Sequence, residues 1–304
     1  MERCTVQQIV ALSMEPAQQE ETLAYMAAQM ERFVKPGDSV LLCFPEHREG
    51  ELSWLYEQAV TRCGGTAVIW GPDHRWKTLL QQAFYTHART VIGPPLIVLG
   101  LTKLVKHSGL PLYIRHVVTA GYPCLDWMID GIRRGFDCSS WGSFGIGTSG
   151  VVAGFSCGKS RGVHLRQDHY AVDILDPEGN SLPAGTTGEL VLYPRKHPQL
   201  RLPMEELAYV ETAPCDCGCE APRLMGMRPC IVEDSYLMQL GQEIQSWTSV
   251  LDCRLCRSHY GLEMELVVFP GEKLPKLPSA AKQIVRPWDP NTDEPFPYHT
   301  ELNF

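Results

Sequence analysis

The sequence predicts an α/β fold: a mostly parallel layered sheet, followed by an antiparallel meander and a small C-terminal α+β unit. Three observations point there. Segments of helical period alternate with short apolar runs as far as Arg134. Beyond about residue 140 the chain changes to glycine-rich turns and short strands, and from Met225 a further helix precedes two strands.

Taken in order, Glu15 to Phe33 carries Leu23, Met26, Ala27 and Met30 at helical spacing, and Pro36, Gly37 and Asp38 turn the chain into the run from Ser39 to Phe44. The pattern then repeats. Helix is expected over Glu51 to Arg62, strand over Thr66 to Trp70, helix over Trp76 to Tyr85 and strand over Thr90 to Ile92. A helix near Leu96 to His107, a strand within Leu112 to Thr119 and a helix near Leu125 to Arg134 complete the alternation, which favours helices on both faces of a parallel sheet. The stretch from Gly142 to Gly150 reads as a flexible glycine loop with N–H groups able to bind an anion, and as the floor of a pocket. Tyr170 to Leu175 and Glu189 to Tyr193 flank the turn signal Asp176, Pro177, Glu178, Gly179 and Asn180, which predicts the meander. A helix around Tyr236 to Trp247 and strands at Val250 to Cys253 and Leu262 to Phe269 form the last unit. The prolines from Pro275 to Pro297 predict an irregular tail.

Composition narrows the function classes. With 304 residues, 44% hydrophobic and 20% charged, the chain has enough apolar material for a sizeable core and is not disordered by composition. A net charge of -8 leaves no basic excess for gripping a nucleic-acid backbone. Apolar runs are too short for a membrane span, and no basic start leads into an apolar stretch in the first 30 residues, so a cytoplasmic location without nucleic-acid or membrane partners is expected.

Twelve cysteines are many for such a chain, and a reducing compartment points clustered thiols towards metal. Cys4, Cys43, Cys63, Cys124, Cys138 and Cys230 are scattered and read as core or near-surface thiols. Cys215, Cys217 and Cys219 form one cluster, and Cys253 with Cys256 another. The second pair precedes His259 with knuckle-like spacing but has no clear fourth ligand, and reads as two ordinary thiols. Cys157, His164, Cys215 and Cys217 supply the three thiolates and one imidazole that suit a four-coordinate structural zinc; the alternative is a buried thiol and histidine beside a redox-labile turn, and Cys219 is a spare ligand for Cys217.

The segment from Cys157 to Cys217 carries several spaced features in series. These are Cys157 and His164, Asp168 and His169, Val172 to Pro177, Gly188 to Val191 after Pro183, and Cys215 with Cys217. In that order they resemble the phenylacetate-CoA ligase and coenzyme F390 synthetase-like branch of the adenylate-forming (AMP-binding) enzymes. Thr119 to Pro123 and Trp141 to Ser143 extend the resemblance backward, and Gly64 to Ile69 resembles the family's glycine-led strand, for coverage of about residues 35 to 230. The resemblance implies the N-terminal domain of an adenylate-forming enzyme over residues 1–224, without its phosphate loop, and a reduced lid-like unit with the proline-rich tail over 225–304. It implies a nucleotide- or acyl-binding site at Gly121, Tyr122, Pro123, Trp141, Gly142, Ser143 and Glu206, and a structural zinc at the four ligands above. ATP or AMP with magnesium, a small carboxylic acid or acyl-adenylate ligand, and a homodimer belong to the same implication.

The sequence departs from that pattern at four places. No Ser/Thr/Gly-rich loop precedes the first helix. Phe144 and Gly145 stand where the family has Ser and a magnesium-holding Glu, and Glu206 replaces an Asp that holds ribose hydroxyls. Lys276 and Lys282 lack the glycine context of the family's late lysine. Adenylation needs the pyrophosphate leaving group neutralised, and one lost contact of that kind costs roughly 3 to 4 kcal/mol, so impaired or altered catalysis is expected. The chain is thus expected to be a phenylacetate-CoA ligase-like protein related to enzymes that activate aryl or other small acids, or alternatively a non-catalytic zinc-stabilised binding module. Other chemistries find less support. His169 beside Asp168 is a general base or a loop cap, Asp126 and Asp130 share an ordinary solvent-facing helix side, and no serine-hydrolase elbow is present.

Overall fold

The computed structural model describes residues 15–146, 150–230, 235–277, 279–280 and 282–296. Cys4 and Pro297, and residues 147–149 of the expected glycine loop, lie outside these. The first helix, α1 (Pro16–Met30), opens on Pro16, whose fixed φ suits a first helical position, and buries Thr22, Leu23, Met26, Ala27 and Met30 along one side. Then follow β1 (Ser39–Leu42), α2 (Leu52–Arg62), β2 (Thr66–Ile69), α3 (Trp76–Tyr85), β3 (Thr90–Gly93), α4 (Pro95–Ser108), β4 (His116–Thr119) and α5 (Asp126–Phe136). The expected strand at Leu112 to Thr119 is confined to its last four residues. Strands β2, β1, β3 and β4 lie side by side in parallel register.

Period-two alternation divides this half into two layers. Val40, Leu42, Ile92 and Val118 pack with α1 and α2 on one face, while Leu41, Cys43, Val91 and Val117 pack with α3, α4 and α5 on the other. Strands covered on both faces read as continuous apolar runs, which is why they were visible in the sequence.

Strand β5 (Ser139–Ile146) joins the two halves of the sheet. Its first residues, Ser139 to Gly142, pair in parallel with β4, and its last, Ser143 to Ile146, pair antiparallel with β6 (Val151–Phe155). The expectation of a loop from Gly142 is corrected here as far as Ile146: Gly142 and Gly145 lie within a strand, where Gly145 allows β6 to approach so closely that a Cβ would stand 1.7 Å from the Val151 carbonyl oxygen. The sheet continues through β7 (Val163–Leu165), β11 (Arg223–Pro229), β10 (Leu202–Glu211), β9 (Gly188–Pro194) and β8 (Tyr170–Leu175), giving eleven strands with the meander at its far edge. Because β11 is hydrogen-bonded to β7 and β10, the large sheet crosses the boundary expected between residues 224 and 225.

The remaining chain forms α6 (Ser235–Ser246), β12 (Val250–Ser258), β13 (Gly261–Val268) and β14 (Lys282–Pro287), with the strands in a separate sheet of order β12-β13-β14. Two expectations change. β12 runs past Cys253 to Ser258, and part of the proline-rich tail is a strand, β14, paired in parallel with β13. The prolines border β14 rather than interrupt it, Pro287 being its last residue. No helix among the described residues is long and apolar enough to cross a membrane.

Candidate metal centre and ligand cavity

Strand order brings the metal-seeking residues together. Cys157 follows β6, His164 sits in β7, and Cys215 with Cys217 occupies the β10–β11 loop. Since His164 pairs with Arg223 of β11 and with Phe155 of β6, three separate stretches of chain converge on one corner. The ligand atoms of Cys157, His164, Cys215 and Cys217 all lie within 4.8 Å of one another. The Cys157 and Cys215 sulfurs are 3.5 Å apart, and Cys217 Sγ is 3.4 Å from His164 Nε2. Those separations are close to the edges of a tetrahedron with metal–sulfur bonds of about 2.3 Å and a metal–nitrogen bond of about 2.0 Å. Cys219 is outside the quartet.

The surroundings suit thiolates. Burial pushes Cys215 up, but it is outweighed by the Cys217 backbone N–H, the Ser160 hydroxyl and the Cys217 and Cys157 thiols, which bring Cys215 down to about 6. Cys217 is raised instead: the Cys219 N–H favours its thiolate, but burial and the neighbouring Cys215 and Cys157 thiols outweigh that donor. Three sulfurs this close repel as thiolates, and a divalent ion would neutralise them. The donor set therefore fits zinc. Around it, the N–H of Lys159 points at Cys157 Sγ at 3.4 Å, Gly218 N–H closes a turn on Cys215 O at 2.8 Å, and Arg32 donates to the Ser156 and Cys157 carbonyls. Nothing in the residue pattern singles out Arg32, which acts from beyond the end of α1.

Next to this corner lies a cavity of 360 Å³, at the point where the sheet changes from parallel to antiparallel. Gly121, Tyr122 and Pro123 reach it from the loop after β4, Trp141, Gly142 and Ser143 from β5, and Glu206 from β10. The Ser143 hydroxyl accepts a hydrogen bond from the buried Tyr56 at 2.7 Å, and Gly142 N–H donates to Ser156 Oγ at 2.8 Å, so this stretch of β5 is held from both sides. Glu206 is only partly covered as a residue, but its Oε2 is sealed from solvent without a hydrogen-bond partner. Burial raises its carboxyl to about 8.

Other candidates fall elsewhere. His169 lies 2.9 Å from Glu21 and 2.8 Å from Asp168, with Lys196 on the same Glu21, and borders a smaller, separate cavity of 180 Å³. It ties α1 to the start of β8. Cys253 is buried on β12, and neither it nor Cys256 joins a metal-competent group among the described residues. Asp126 and Asp130 face solvent as expected, but both also pair with Arg161 and border the main cavity.

Sequence comparison returns no matching family model and no matching curated protein. Structure comparison does. A 2-hydroxyisobutyryl-CoA ligase in the postadenylation state, bound to R3-HIB-AMP, superimposes with a TM-score of 0.72 at 17% identity over 95% of this chain and 70% of that one. The chain has the fold of the adenylate-forming ligases. The same ligase with 2-HIB-AMP and CoA in the thioesterification state gives 0.61 at 17% identity, over 92% of this chain and 68% of that one. The anthranilate CoA ligase AuaEII with anthranoyl-AMP gives 0.54 at 13% identity, over 84% of this chain and 54% of that one.

Proposed function

We propose that this chain binds a small carboxylic acid in adenylate form, or a close mimic of one, in the 360 Å³ cavity, and that a structural zinc holds the adjoining corner. The observation that carries this reading is the convergence of Gly121, Tyr122, Pro123, Trp141, Gly142, Ser143 and Glu206 around one cavity, in a fold whose solved examples hold acyl-adenylates. Cys157, His164, Cys215 and Cys217 are the zinc ligands in this reading. The ion supplies charge neutralisation and cross-linking there, and it takes no part in a chemical step.

Within the cavity each residue has a task. Glycines at 121 and 142 leave room for a ligand to approach backbone, Tyr122 and Trp141 offer aromatic faces, and Ser143 presents a hydroxyl whose direction Tyr56 fixes. Glu206, neutral at pH 7, donates a hydrogen bond to an anionic or hydroxyl group of the ligand.

Magnesium does not fit the position from which the resembling enzymes hold it. A side chain at residue 145 would meet the Val151 carbonyl, so no carboxylate can stand there without displacing β6. This favours a second reading, in which the chain is a binding module that has given up ATP-driven activation. We further propose a division into two units joined between Pro229 and Ser235, the second being a reduced lid.

Thermal stability measured with AMP, ATP and a panel of acyl-adenylates tests binding: a ligand at a hundred times its Kd adds about 2.7 kcal/mol. No shift with any of them contradicts the proposal. Pyrophosphate release from ATP with a carboxylic acid panel separates the two readings, release supporting an enzyme and its absence a module.

A further inference from the structure

The metal corner and the cavity share a stretch of chain. Residues 158–163 run between the first two metal-seeking side chains, and Gly158, Ser160, Arg161, Gly162 and Val163 all face the cavity. Gly158 has φ +74 and lies against the Trp141 indole so closely that a Cβ would stand 2.6 Å from its Nε1. This loop is therefore laid directly on a residue of the proposed ligand site. At its middle, Arg161 reaches across to α5, pairing with Asp126 and, at 3.7 Å, with Asp130. Its carbonyl accepts from Arg223 Nη1 at 3.0 Å, and Ser160 donates to Asp216 of the Cys215–Cys217 turn at 2.6 Å.

From this we infer that the 158–163 loop is a metal-dependent wall of the cavity, and that Arg161 is the positioning residue that latches it to α5. The inference rests on the zinc and ligand readings above. The physical logic is mechanical. The sheet holds the second end of the loop, because Val163 and His164 belong to β7, and an ion bound to Cys157 and His164 would fix the first end to it, leaving Arg161 few positions other than across the cavity. With the Cys157 end released, the Arg161 pairs are exposed charges in water and hold little by themselves. Metal binding thus raises affinity for a ligand enclosed by the wall, and by reciprocity the ligand raises affinity for the metal.

The test is amide hydrogen exchange on the full chain, zinc-loaded, chelated and as the zinc-loaded Arg161→Ala variant, with AMP as the probe ligand. Chelation is expected to speed exchange at 158–163 and at 126–130 together, roughly tenfold or more. Arg161→Ala is expected to speed exchange at 126–130 while keeping one zinc per chain, and AMP is expected to raise the zinc affinity measured by equilibrium competition with a chromogenic chelator in the wild type but not in the variant. Unchanged exchange at 126–130 on chelation, or zinc loss from Arg161→Ala, overturns the inference. If AMP fails to bind the zinc-loaded wild type, the ligand reading fails, and the exchange result still decides whether the wall depends on metal.

Discussion

Two regions are fastened to the main sheet by opposite means. At the metal corner, Cys157, Cys215 and Cys217 from the loops after β6 and β10 meet His164 of β7, with Cys215 buried and Cys217 exposed. On the face formed by α3 and α4, the C-terminal unit sinks Leu251, Val267 and Phe269 into the same core as Trp76, Leu101 and Leu104. His107 stacks on Phe269 with ring centroids 4.1 Å apart, and the buried Lys103 donates to Gln245 at 3.0 Å and to the Val250 carbonyl at 2.8 Å. In the zinc reading proposed above, the first attachment is released by taking away one ion, and the second only by exposing a core. Any displacement of α6 and β12–β14 from α4 would have to break these contacts.

The comparison can be broken at several points. The largest effect is expected from removing the metal, by chelation or by Cys215→Ser: a stability loss of several kcal/mol, below the ~10 kcal/mol that zinc gives small domains because a core already exists here. Calorimetry beside metal analysis checks it, and the C-terminal core should remain protected from exchange. Phe269→Ala should cost about 3 to 5 kcal/mol in thermal or denaturant unfolding while leaving zinc content unchanged, the reverse separation.

A smaller effect is expected between the two regions, where Gln242 of α6 and the metal loop both border the cavity beside Glu206. With its carboxyl raised from 4.5 to about 8 by burial, Glu206 binds its proton more tightly in the folded chain. Folding stability should therefore fall as pH rises through that window, the cost being absent below 4.5 and complete above about 8. Glu206→Gln removes this dependence: melting temperatures should match wild type at pH 4.5 and exceed it at pH 8. The smallest change in stability, below about 1 kcal/mol, is expected for Arg161→Ala, because its partners are exposed. Unfolding curves should barely move.

The sequence made the parallel half legible because strands buried on both faces are apolar throughout, and Leu41 or Val91 has no solvent side to disguise it. Strand β5 was not legible: Gly142 and Gly145 look like turn residues until β6 is seen lying against them. β14 was hidden by the prolines around it, since its pairing with β13 depends on a distant partner. The four metal-seeking residues could be chosen from residue type, spacing and family resemblance. Arg161 could not, because its role depends on α5 being folded beside the loop before β7 and on carboxylates that, in the sequence alone, look like solvent-facing charge.

The most direct measurement is zinc-edge X-ray absorption on the purified, reduced protein. The account predicts one zinc per chain with three sulfur neighbours at about 2.3 Å and one nitrogen at about 2.0 Å. A shell of nitrogen and oxygen alone, or zinc well below one per chain, would contradict it.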